Sequence, residues 1–190
     1  MGNGHSAALL SKLAMPDIVL DTNTIADFLS QYFKQQVAGG GPAKFLDEGM
    51  LTRKLAGHVN RILDTFRRYQ MGEEIESPYS GGIVVASTFA FVELCRNWER
   101  MVKARFSLVQ LQAFLKQPPE WFDIAPLDDT LLPFYANIPT HVWLKGETKA
   151  IEWCDAIHAA TADSRGRDCF LATTDERLQA VPHLRTRIVI

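Results

Sequence analysis

Short apolar runs alternate along this chain with stretches of helical periodicity, and that alternation restricts the folds open to it more than any other feature. Ile18-Val19-Leu20, Ile83-Val84-Val85-Ala86, Trp121 to Leu127, Cys169-Phe170-Leu171-Ala172 and Arg187 to Ile190 read as strands. Between them, apolar residues recur at three- and four-residue steps: Ile25, Phe28, Leu29 and Phe33; Leu51, Leu55, Val59, Ile62, Phe66 and Tyr69; and a helix pattern from Glu147 to Ala162. Strands separated by helices favour a parallel sheet covered on both faces, so the expected class is α/β, a three-layer α/β/α sandwich with a mostly parallel central sheet.

The 190 residues, 47% apolar, suit one domain spanning 1–190. The Gly39-Gly40-Gly41-Pro42 breaker separates the first helix from a helical insertion at about 37–81, in which Gly49 and Gly57 offer break points. Ser87 or Thr88 can cap the next helix, which carries Glu93 and reads on through Trp98 and Met101; a short helix follows over Leu108 to Leu115. No apolar run approaches the roughly 20 residues needed to cross a bilayer, and the N-terminus lacks the pattern of a secretory signal, which points to a cytoplasmic protein with no membrane partner. Cys95, Cys154 and Cys169 lack CxxC spacing, as expected of reduced thiols. A formal charge of -2 gives no global basic signature, so nucleic-acid contact must come from a local patch. Lys54, Arg61 and Arg68, spaced by seven on one helix face, are the candidates for it, beside the simpler reading of a solvated surface.

Four acids stand where such a sheet binds ligands. Asp21 directly follows the first strand and Asp175 follows Phe170 to Thr174, both at carboxyl ends of strands, where open α/β sheets form their crevice. Glu93 lies about two turns into the helix after the second strand, and Asp155 interrupts an otherwise apolar helical face. Carboxylates about 4 Å apart repel by roughly 4 kcal/mol at an effective dielectric near 20, so a shared crevice calls for cations or raised pKa values. Oxygen-only ligands suit Mg2+ or Mn2+, whereas His5, His58, His141, His158 and His183 show no zinc spacing. Asn23 and Thr173 are expected to support the ligands through hydrogen bonds, with capping and turn formation as the alternative role. Glu152 and Asp163 share compatible helix faces with Asp155 but read as surface charge.

Ile18-Val19-Leu20-Asp21-Thr22-Asn23, Glu93-Leu94, Asp155-Ala156-Ile157-His158-Ala159-Ala160-Thr161-Ala162 and Thr173-Thr174-Asp175, in that order, resemble the PIN-domain family. The resemblance covers residues 17–36 and 82–190, and is to the small bacterial type found as the toxin of VapBC toxin–antitoxin pairs. It implies a metal-dependent endoribonuclease acting on single-stranded RNA, with Asp21, Glu93 and Asp155 as metal ligands and Asp175 at a second metal or through water. The products implied carry 5'-phosphate and 3'-hydroxyl ends. An antitoxin protein is the implied partner beside RNA, and homo-oligomer formation stays open. The segment between Asp21 and Glu93 is longer than in compact toxins of this type. A PIN-fold binding or regulatory module and a DNA-directed metal-dependent nuclease are the alternatives, because carboxylates around a metal do not identify the phosphoester.

Overall fold

The computed structural model describes residues 16–37, 53–75, 77, 81–101, 105–166 and 169–188. Strand β1 (Ile18–Leu20) leads through Asp21 into helix α1 (Thr22–Val37); α2 spans Arg53–Gln70, and β2 (Val84–Ser87) runs directly into α3 (Thr88–Arg96). Then follow α4 (Trp98–Met101), α5 (Leu108–Lys116), β3 (Phe122–Ala125), a 3-10 turn at Asp129–Leu131, and α6 (Leu132–Asn137). Strands β4 (His141–Leu144) and β5 (Glu147–Ala150) precede α7 (Trp153–Ser164), β6 (Phe170–Thr173), α8 (Glu176–Gln179) and β7 (Thr186–Ile188).

Five strands form one sheet in the order β3-β2-β1-β6-β7, every neighbouring pair parallel. The period-2 alternation of β1 divides the interior in two. Ile18 and Leu20 face a core built with Val84, Ala86 and Phe122 against Phe28 and Leu29 of α1, Leu94 of α3 and Phe114 of α5. Val19 faces the opposite core, with Val85 and Leu171 against Ile157 and Ala160 of α7. Helices therefore cover both faces, and the fold is the three-layer α/β sandwich expected.

Helix α2 is part of the first core. Leu55, Val59, Ile62 and Phe66 are all buried there, at the spacing that keeps one helical face on the sheet side. The helix passes through Gly57 without a break, and Tyr69, in its last turn, is exposed rather than packed. Leu51 and Gly49 lie outside the described residues. Among the described residues no helix is long and apolar enough to cross a membrane.

Two sequence expectations are corrected. The helix expected from Glu147 begins only at Trp153, because His141–Leu144 and Glu147–Ala150 pair as an antiparallel hairpin. Lys145 and Gly146 both take positive φ in its two-residue turn, at 52° and 86°, which is the backbone such a tight hairpin demands. The helix carrying Glu93 stops at Arg96, where Asn97 folds its side-chain amide back onto the Glu93 carbonyl (3.1 Å), and α4 starts separately.

Candidate active site at the carboxyl edge of the sheet

Leu20 of β1 stands level with Ala86 of β2 and Ala172 of β6, so Asp21, Ser87 and Thr173 follow at one height on three adjacent strands. Each strand end is also a helix beginning or leads to one. Asp21 Oδ1 accepts from the backbone N–H and the hydroxyl of Thr24, both at 2.8 Å, so the buried carboxylate caps α1. Ser87 caps α3 by accepting from Ala90 N. Asp175 caps α8, and Asp155 lies in the first turn of α7, where the helix dipole favours negative charge.

Glu93 reaches back from α3 into this edge. Its Oε2 accepts from the Thr22 hydroxyl and lies 3.2 Å from His158 Nε2. His158 is 2% exposed, and its ring also sits 3.1 Å from Thr22 Oγ1 and, through Nδ1, 3.4 Å from Ser87 Oγ. Burial works against the charge of Glu93, but the hydrogen bonds from His158 and Thr22 outweigh it and hold the carboxyl below its usual value.

One helical turn before His158, Asp155 meets the second half of the site. Burial, reinforced by the charge of Asp175, pushes Asp155 up to about 6. Asp175 lies within hydrogen-bonding reach of it, and moves the other way: burial raises it, but the bonds it accepts from Arg177 prevail and its carboxyl is held low. Arg177 Nη2 donates to Asp155 Oδ2 at 2.7 Å and to Asp175 Oδ2 at 2.5 Å, while Nε lies 2.8 Å from Asp175 Oδ2. One guanidinium thus bridges the two acids.

The expected residues divide as follows. Two bonded groups result: Thr22, next to Asp21, joins Glu93 and His158, and Arg177 joins Asp155 to Asp175, with Asp155 one helical turn before His158 on the same helix. No three of the four acids bring carboxylate oxygens within 4.8 Å of one another; the group that does so among the described residues is Glu152, Cys154 and Asp155. The Cys154 thiol is pushed up to about 11 by burial and the neighbouring acids, which keeps it protonated at neutral pH. Thr173 is buried and its hydroxyl accepts from Asp175 N (3.0 Å), so it shapes the turn that presents Asp175. Asn23 is exposed and reaches Thr174 Oγ1 at 3.5 Å rather than a carboxylate.

On α2, Arg61 is exposed and bonds back to Gly57 O (3.3 Å), and Arg68 is engaged by Glu73 at 2.6 Å; the Lys54 side chain lies outside the described residues. Thr22, His158 and Arg177 were not singled out by sequence reasoning. The available signals were the Asp155-x-x-His158 spacing, which puts both on one helix face, and a cation two residues after Asp175.

The donor set suits a hard divalent cation. Two half-buried carboxylates face each other, one of them raised, and the charge compensation between them is a guanidinium, a cation already standing where positive charge is required.

No family model matches the chain, and no curated protein does. Among solved structures it is similar to VapBC2 from Rickettsia felis bound to a promoter DNA fragment, at 14% identity and TM-score 0.47, covering 90% of this chain and 98% of that one. It is also similar to FitAcB from Neisseria gonorrhoeae, at 18% identity and TM-score 0.42, covering 89% of this chain and 95% of that one. At these identities and TM-scores the likeness carries no argument, and fold and site rest on the chain's own residues.

Proposed function

We propose that this chain is a PIN-type, Mg2+- or Mn2+-dependent endoribonuclease in which Asp21, Glu93, Asp155 and Asp175 hold the metal. The observation that carries the reading is the gathering of Asp21, Glu93 and the Asp155–Arg177–Asp175 group at the carboxyl edge of a parallel sheet, where ligands bind in folds of this class. The motif order noted in the sequence supports the same reading.

When bound, the metal supplies a hydroxide from water at neutral pH and stabilises charge on the phosphate and on the leaving 3'-oxygen. The chain's own residues prepare for this. Thr24 holds Asp21 by two hydrogen bonds, and Thr22 with His158 fixes the Glu93 carboxylate and keeps it ionised. Asp155 and Asp175 together supply negative charge around the shared Nη2 of Arg177. Thr173 sets the turn that presents Asp175. By the same resemblance, the partner is an antitoxin protein and the chain is the toxin of the pair.

The test is cleavage of labelled single-stranded RNA, structured RNA and DNA by the wild type and by Asp21→Asn, in Mn2+, Mg2+ and EDTA. Metal-dependent RNA cleavage lost in Asp21→Asn supports the proposal. Cleavage confined to DNA selects the deoxyribonuclease alternative, and no cleavage of any substrate favours a binding module.

A further inference from the structure

Arg177 has no part in the reaction just described, yet it is the side chain that touches both Asp155 and Asp175. Its Nε and Nη2 fork onto Asp175, Nη2 also bridges to Asp155, and Nη1 donates to the carbonyl of Ala150 at 3.1 Å. The Ala150 carbonyl belongs to the end of β5, and Lys145 in the hairpin turn pairs with Glu176 beside Arg177, so the hairpin is tied both to the guanidinium and to the helix that carries it. A guanidinium cannot shed its proton to make way for another cation. It can only move.

The oxygens it occupies are the ones a divalent ion needs. Asp155 Oδ2 and Asp175 Oδ2 both lie within 2.7 Å of the same nitrogen, and a metal ligated by them at about 2.1 Å would stand almost on that nitrogen, charge against charge. An exit is at hand. Glu152 Oε1 lies 3.8 Å from Nη1 and is exposed, so rotation of the side chain transfers the guanidinium to a waiting carboxylate.

The geometry points to Arg177 as the positioning residue of the Asp155–Asp175 pair in the metal-free chain and as the competitor that metal must displace, so that this one residue sets the metal concentration at which the site fills. This inference rests on the proposed metal site. Its signature is unusual, because removing a residue that organises the site should strengthen metal binding rather than weaken it.

Mn2+ binding, followed by the electron paramagnetic resonance signal of the free ion, is compared for the full-length wild type and Arg177→Gln, with thermal unfolding in EDTA and in saturating Mn2+. Arg177→Gln is expected to bind Mn2+ on the order of tenfold more tightly. It should also melt below wild type in EDTA, with the gap closing as Mn2+ saturates the site. A merely structural strut would lower melting under both conditions and would not tighten binding. Equal or weaker Mn2+ affinity in the folded variant overturns the inference and leaves the metal site standing. Absence of Mn2+ binding by wild type and variant alike overturns both. Should Arg177→Gln fail to fold, Arg177→Lys keeps the charge without the fork; Mn2+ affinity tighter than wild type supports displacement, and affinity equal to or weaker than wild type overturns it.

Discussion

His158 stands in a space closed to solvent with three hydroxyl or carboxylate partners, so its loss strands Glu93, Thr22 and Ser87 together. His158→Leu is expected to cost about 1–3 kcal/mol in urea unfolding, the penalty of leaving buried polar groups unpaired, and to reduce Mn2+ affinity; His158→Gln, which can still donate, should recover part of both. Asp155 gives a pH signature. Because its folded-state pKa, about 6, lies above the unfolded value near 3.8, the native state binds the extra proton between those limits, and stability contributed by this group falls as pH rises through that window. In EDTA, Asp155→Asn should therefore be more stable than wild type at pH 7.5, by roughly 1–2 kcal/mol, and lose that advantage below about pH 4; a constant difference across the range would detach Asp155 from the pair. The four acids stand out in the sequence as candidates, since Asp21 and Asp175 follow strands, Glu93 lies two turns into the helix after one, and Asp155 interrupts an apolar helix face. Their bonding does not, because Thr22 also reads as a capping residue and His158 as one more member of a buried stripe.

At the scale of elements, α2 and the β4–β5 hairpin decide how the sheet edge is built. A Cβ on Gly81 would lie 2.7 Å from Thr65 Oγ1 and 2.9 Å from Thr65 Cβ, so the segment entering β2 touches α2 with no room to spare. Gly81→Ala should lower the urea midpoint by the equivalent of about 1–3 kcal/mol, as overpacking does, and an unchanged midpoint would mean that α2 is free to shift. The sequence periodicity identified the buried face of α2 because Leu55, Val59, Ile62 and Phe66 repeat at helical spacing. It misread 147–152 because β5, Glu-Thr-Lys-Ala, is exposed along most of its length and carries no apolar alternation. The missed signal was Lys145-Gly146 between two short runs, a turn that only positive φ can close.

For the molecule as a whole, with a formal charge of -2, RNA affinity must be local if it exists. Charge reversal at Lys54, Arg61 and Arg68 is expected to weaken RNA binding and to flatten its salt dependence, measured by fluorescence anisotropy of a labelled oligonucleotide with Asp21→Asn as background; the slope should fall by about one for each phosphate no longer neutralised. Arg61 should contribute more than Arg68, whose charge is already answered by Glu73. An unaltered slope would return the stripe to ordinary solvated surface.

What the amino-acid sequence determined by itself was local and periodic: strand runs ending in acids, helical faces, a cap at Ser87 or Thr88, and hence a parallel sheet clothed on both sides. These follow from backbone periodicity and near-neighbour hydrogen bonding, which act over a few residues. The tertiary structure alone decided which acids meet and what lies between them. Thr22 and His158 are 136 residues apart, and Arg177 reaches Asp155 across 22. Such pairings depend on strand order and on where a hairpin docks, and no spacing along the chain encodes them.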